Sequence, residues 1–340
     1  MSPASLDLRT LATVAIFVAT YAGVALGRVP GLRIDRAGIS LVGASLMIAF
    51  GTLSLEEAFK AVDLDAIALL LGMMIIVAQL RVSGFFELAT RFATQRAHGP
   101  LVLLTAIVTG FFSSFLVNDA ICLVMAPLVI DVTRALRRNP VPYLLAVAMA
   151  SNAGSAATFT GNPQNMIIGV TSHLPYAEFF ARLAPAAAVA LVLTIGLIGL
   201  LNPLEFSTSF TSAVKKQRPR WHAGQLAKGL LVTLAVIASF FVGVPIAEAA
   251  LIGGSLLLLS RAVTPRKIYA GIDGGLLLMF AGLFIVVAGA EKMLLTPQLV
   301  ATVQQLHFEN GWILSGATAL LSNLKPFIAN LPDPGRLDRS

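Results

Sequence analysis

Two stretches of this chain gather side chains that could hold an ion. The first, SNAGSAATFTGNPQN at residues 151–165, brings together Ser151, Asn152, Ser155, Thr158, Thr160, Asn162, Gln164 and Asn165, with Gly154, Gly161 and Pro163 among them. The second, FFSSFLVNDAICLVMAPLVI at 111–130, sets Asn118 beside Asp119. Neutral oxygens, with carbonyls freed where a helix unwinds, suit Na⁺. The N-terminus of a helix restarting after Pro163 suits an anion. Gly154 and Gly161 are expected to supply the backbone freedom of the break, and Pro163 to stop one helix and start the next. Asp119 can ligate a cation or carry a proton, and it can also cap a helix beginning at Ala120. The plainer reading of 151–165 is a kinked helix whose small residues let neighbours approach. Eight polar side chains with two glycines and a proline exceed what a kink requires.

The elements that must position these residues are apolar. The 340-residue chain is 57% hydrophobic and 12% charged, where a soluble domain carries about 25% charged residues. A helix crosses a bilayer with about 20 apolar residues. Runs near that length are Leu11–Gly27, Ala37–Gly51, Leu64–Val82, Phe179–Leu201, Leu230–Val244, Ala247–Ser260 and Gly274–Ala290. Leu101–Ile130 and Val141–Val170 are interrupted by the two polar stretches. The expected fold is an all-α polytopic membrane protein, multi-pass in the cytoplasmic membrane. The first span follows a short N-terminus with no convincing cleavage site and is expected to be retained.

The net charge of +7 does not point to nucleic acid, because no aromatic-interleaved basic face accompanies it. Basic residues instead cluster between spans, as Arg28, Arg33 and Arg36; Arg81, Arg91 and Arg96; Arg134, Arg137 and Arg138; Lys215, Lys216, Arg218 and Arg220; and Arg261, Arg266 and Lys267. The positive-inside bias accounts for that placement. One cysteine, Cys122, excludes an internal disulfide, and His98, His173, His222 and His307 have no metal-ligand spacing. No metal site is expected beyond Na⁺ at the polar breaks. An enzyme is disfavoured, since no Ser/His pairing, metal-binding His-Glu helix or nucleophile elbow is present.

A repeat organises the chain. RAGISLVGASLMIAF from Arg36 and IAEAALIGGSLLLLS from Ile246 open two stretches that match 210 residues apart, pairing Gly43 with Gly253, Ser45 with Ser255, Asp63 with Asp273 and Gly72 with Gly282. With basic loops inside, the loop of Glu56, Glu57 and Asp63 lies outside. Leu101–Ile130 then enters and leaves on the cytoplasmic side as a re-entrant hairpin, Val141–Val170 crosses as a broken helix, and the second copy runs opposite to the first. Inverted repeats with broken helices near the midplane characterise secondary transporters. The expected division is residues 1–202 as a first repeat, 203–229 as a basic cytoplasmic linker, and 230–340 as a partial second repeat. Asp63 and Asp273, at span entrances, are expected to cap helices.

FLVNDAICLVMAP followed by ASNAGSAATFTGNPQN resembles the ion transporter superfamily of citrate-transporter-like permeases, which includes divalent anion:sodium symporters, arsenite efflux permeases and bacterial putative anion transporters. The resemblance covers the chain to about Leu321. It implies transport of a small inorganic or organic anion coupled to Na⁺ or H⁺, with no other cofactor. It implies a site at Asn118, Asp119, Ser151, Asn152, Gly154, Ser155, Thr158, Gly161, Asn162, Pro163 and Asn165. Where symporters of this group read Ser-Asn-Thr at the hairpin tip, this chain has Val117-Asn118-Asp119, which moves the likeness toward the arsenite and putative-anion branches. The rival expectation among transporters is arsenite efflux or cation/proton antiport, with Asp119 as the titrating group.

The 210-residue register holds to Leu321-Ser322-Asn323 and then fails, since Pro326 matches Pro127 only 199 residues away. The second copy is therefore expected to lack a hairpin and broken helix of its own. That leaves three expectations: a lone half-site that transports poorly, a homodimer that supplies the missing partners, or a truncated, non-transporting membrane protein.

Overall fold

The computed structural model describes residues 8–27, 31–89, 100–172, 174–207, 223–259 and 264–294. The four histidines, Arg28, Arg91, Arg96 and Arg261, the linker positions from Lys215 to Arg220, and everything from Leu321 onward lie outside the described residues. The described residues form helices throughout: α1 (Leu8–Leu26), α2 (Arg36–Ala49), α3 (Leu55–Ala61), α4 (Leu64–Val82), α5 (Leu101–Phe115), α6 (Asn118–Ala135), α7 (Val141–Ser155), α8 (Pro163–Thr171), α9 (Tyr176–Leu201), α10 (Pro203–Ser207), α11 (Ala223–Val242), α12 (Ile246–Leu258), α13 (Pro265–Tyr269) and α14 (Gly274–Leu294). The protein is thus an all-α polytopic membrane protein, with α1, α4, α9, α11 and α14 long and apolar enough to cross a bilayer. The helices α2 and α12 have 14 and 13 residues, about 20 Å at 1.5 Å per residue. They fall short of the crossing length expected for Ala37–Gly51 and Ala247–Ser260, because Gly51 turns left-handed at φ 70° and Leu259 leaves helical geometry.

The chain falls into two compact units, one from Met1–Ile67 and Asp273–Ser340, the other from Ala68–Ile272. In the first, α2 lies between α1 and α14. Close approach is built from small residues: Gly23 meets Ile39, Gly43 meets Thr20, and Gly282 meets Ser40. Ile16, Ala44, Met47 and Val286 fill the centre. Thr20 and Ser40 spend their hydroxyl protons on Ile16 and Ala37 carbonyls of their own helices, at 2.7 and 2.8 Å, so neither hydroxyl proton is left unpaired where the glycines press on it. Ser54 and Glu57 form a capping box at the start of α3, and Lys292 of α14 reaches the Glu57 carboxylate at 2.6 Å. Donation by Lys292 holds that carboxyl below its usual range. The contribution of this pair is therefore present at neutral pH and is lost as acid titrates through the lowered value.

In the second unit, Gly72 of α4 lies against the backbone of Ala250 and Gly254 of α12, with Ile75, Ala78 and Ile268 packed alongside. Gly253 accepts Val236 of α11. The buried share of α4 is 67%, against 17% for α9, so α4 is enclosed by protein while α9 exposes most of its surface.

The repeat is visible in the helix boundaries. Helices start 210 residues apart at Arg36 and Ile246, Leu55 and Pro265, and Leu64 and Gly274. Asp63 accepts the Ala66 N–H at 2.9 Å and Asp273 the Leu276 N–H at 2.9 Å, so both aspartates cap as expected. The match also extends one helix further than the residues suggested. α1 and α11 correspond 216 residues apart, ending at Leu26 and Val242 before left-handed Gly27 and Gly243. The loop after α1 is six residues longer, which hides this pair from a fixed register. The packing is exchanged between copies. Gly282 meets Ser40 as Gly72 meets Ala250, so the second helix of each copy packs on the fourth helix of the other.

Candidate functional site

The hairpin arms α5 and α6 are separated by two non-helical residues, Leu116 and Val117. Asn118 opens α6, so Asp119 sits in its first turn and is exposed, and the helix does not wait until Ala120. A carboxylate there is favoured by the helix dipole. The broken helix is α7, a buried turn Phe159–Gly161, and α8. Asn162 caps α8, its side chain accepting the Asn165 N–H at 2.8 Å, and Pro163 is the first helical residue, as its fixed φ and missing donor favour.

Neither Gly154 nor Gly161 has a positive φ. Both are required by close approach: a Cβ on Gly154 would run into the Gly110 carbonyl of α5, and one on Gly161 into the Ser155 carbonyl. The glycines therefore supply room for backbone, in place of the backbone freedom expected of them.

The carbonyls freed at the break are largely taken by the loop itself. Asn165 donates to Thr158 O at 3.0 Å and Ser155 O at 3.3 Å, and Asn162 donates to Ser155 O at 3.3 Å. Ser155 donates to Asn152 O at 2.9 Å. Buried backbone groups away from water require such partners. Ser155, Asn162 and Asn165 thus hold the shape of the loop.

Other polar residues join loop to hairpin. Ser113 donates to Ser151 O at 2.8 Å, Ser151 to Asn118 O at 3.3 Å, and Asn118 Nδ2 to Asn152 Oδ1 at 3.1 Å. Thr158 donates to Ser114 O, and Thr160 to Phe115 O at 3.2 Å. At the tip itself one acceptor is left over; the other unpartnered oxygen of the hairpin, Thr109 Oγ1, lies more than a turn back in α5. Asn118 Oδ1 is buried and has no hydrogen-bond partner among the described residues. Around it stand Ser151 and Asn152, with Asp119 next in sequence. Cys122, one turn along α6 and half-buried, is within reach of Ser151. Neither 111–130 nor 151–165 contains a lysine, arginine or histidine.

Sequence reasoning missed a cluster at the opposite end of α7. Arg138, assigned only to a basic loop, pairs with Glu205 of α10 at 3.1 Å, both 19% exposed, and buried Tyr143 donates to the same carboxylate at 2.5 Å. Tyr143 lies 12 residues before Ser155, about 18 Å along the helix, so this cluster anchors the base of the broken helix away from the tip. Glu205→Ala should lower the thermal stability of the purified protein by roughly 1–3 kcal/mol, since it strands a buried hydroxyl and a guanidinium. Glu205→Gln, which keeps an acceptor, should lose clearly less. Equal unfolding temperatures for Glu205→Ala and wild type would contradict that account.

With five helices long and apolar enough to cross a bilayer, the hairpin and the broken helix belong to a multi-pass membrane protein. The chain belongs to the citrate transporter family, whose sequence profile matches residues 16–332. It is 30% identical over 339 residues to an uncharacterized transporter of Mycobacterium tuberculosis, covering 95% of this chain and 78% of the relative. Over 160 residues it is 34% identical to a silicon efflux transporter of Oryza sativa subsp. japonica, covering 46% of this chain and 33% of that protein. It is also 32% identical over 151 residues to the putative transporter arsB of Dictyostelium discoideum, covering 44% and 27%.

Proposed function

We propose that this protein carries a small inorganic or organic anion across the cytoplasmic membrane, coupled to Na⁺ binding at the hairpin tip. The observation that carries this reading is the buried, unpartnered Asn118 Oδ1. A buried amide oxygen without a donor is costly, and a bound cation removes that cost. The tip and loop contain one carboxylate and no basic side chain, so an anion held there needs a cation beside it for charge balance. Ser151, Asn152 and Asp119 are the neighbours placed to share both ions, while Gly154, Ser155, Thr158, Gly161, Asn162, Pro163 and Asn165 shape the loop. A second reading, export of arsenite or silicon as weak acids against protons, is favoured by the exposed Asp119, by the likeness of the Asn118-Asp119 tip to arsenite permeases, and by the name of the rice relative.

The test is counterflow in proteoliposomes with citrate, succinate, phosphate, sulfate, arsenite and silicic acid, each with and without a sodium gradient. Sodium-stimulated exchange of one anion, lost in Asn118→Ala, is the expected result. Exchange of arsenite or silicic acid driven by pH alone would favour the second reading. No exchange of any compound would sink both and leave a non-transporting membrane protein.

A further inference from the structure

We propose that Tyr176, at the start of α9, is a positioning residue for the hairpin tip, acting through Thr160. The last carbonyls of a helix have no partner within it. In α5, Phe112 O is taken by the Leu116 N–H, while Ser114 O and Phe115 O depend on the hydroxyls of Thr158 and Thr160. A hydroxyl carries one proton. Thr160 Oγ1 lies 3.2 Å from both Phe115 O and Thr158 Oγ1, and the Thr158 proton is on Ser114 O. Phe115 O can only accept, so with the Thr160 proton placed there the tyrosine is assigned as donor in the 3.1 Å contact between Thr160 Oγ1 and Tyr176 Oη. The result is a directed relay from Tyr176 to Thr160 to the Phe115 carbonyl, three residues before Asn118.

The ring fixes where that relay begins. Tyr176 is buried and packs tilted on Phe240 and edge-on to Phe241 of α11, with ring centroids 5.3 and 5.0 Å apart, and meets Phe159 of the break edge-on at 5.8 Å. Aromatic surfaces on several sides leave the hydroxyl little freedom. Tyr176 touches neither Asn118 nor Asn152, and its influence on them passes through the end of α5. It also ties the first copy's site to α11, which belongs to the second copy. This inference rests on the reading that the tip binds sodium.

The only cysteine in the chain, Cys122, lies one turn beyond Asn118 and provides the probe. The full chain in detergent is alkylated with N-ethylmaleimide in sodium chloride or choline chloride at constant ionic strength. In the wild type, sodium should slow labelling. In Tyr176→Phe the half-protecting sodium concentration should rise roughly fivefold to tenfold, as expected for one net hydrogen bond, with full protection still reached. Thr160→Val should do the same from the other end, and the double variant should shift no further than the larger single one. A tyrosine that merely supports folding would change yield and unfolding temperature while leaving the half-protecting concentration in place. Protection of Tyr176→Phe at the wild-type concentration would overturn its role while leaving the sodium reading intact. Additive shifts in the double variant would overturn the relay. The absence of any sodium effect on the wild-type chain would overturn both the sodium reading and this proposal.

Discussion

Gly154→Ala should abolish counterflow and sharply reduce the yield of folded protein, although it adds one methyl group. The obstacle is the Gly110 carbonyl of α5, which is backbone and cannot rotate away. The two helices must therefore separate along the face where Ser113 meets Ser151. Overpacking of this kind costs about 1–3 kcal/mol or more, a large part of the stability of a folded domain. Gly161→Val should act similarly, by pushing the turn off the Ser155 carbonyl that Asn162 and Asn165 share. Gly196→Ala on α9 is the matched control. Among the described residues, no heavy atom beyond the local turn of its own helix lies within 4 Å of its added Cβ, and alanine is the better helix former by about 1 kcal/mol. Normal transport by Gly154→Ala would show that the approach of α5 and α7 is not needed for function.

Asp119→Asn should leave the protein folded and inserted while removing the cation or pH dependence of transport. Loss of a carboxylate in the first turn of α6 forfeits roughly 0.3–1 kcal/mol of dipole interaction, too little to unfold it. An exposed side chain in that turn also carries little packing. The charge, however, is the only one in either polar segment, so its removal changes the balance of any bound ion pair. Counterflow measured against sodium and pH gradients separates the cases. Uptake that keeps its original gradient dependence in the variant would exclude Asp119 from coupling.

Much of this could be read from residue order because it depends on local rules. Composition and run length required a membrane protein, since no soluble core could absorb so much apolar surface. Pro163 after Asn162 marked the restart of a helix, and Asp63 and Asp273 marked helix starts, because capping and proline geometry involve neighbours within a turn. The repeat was legible from aligned glycines, but only where loop lengths agreed, so α1 and α11 escaped notice.

The tertiary structure decided which hydrogen bonds each polar residue makes. Serine, threonine and asparagine look equally available in sequence, yet a proton already donated within the protein is not free for a ligand. Asn162 and Asn165 spend their amides on carbonyls of the break, whereas Asn118 keeps a buried oxygen unpartnered. The exchange of packing between copies, the Arg138–Tyr143–Glu205 anchor, and the reach of Tyr176 to Thr160 join residues from 5 to 242 positions apart. Sequence by itself determined the membrane class, the breaks and the repeat, because hydrophobicity, glycine and proline act on the chain where they stand. Only the fold could assign hydrogen-bond partners, because those depend on which atoms packing brings within about 3 Å.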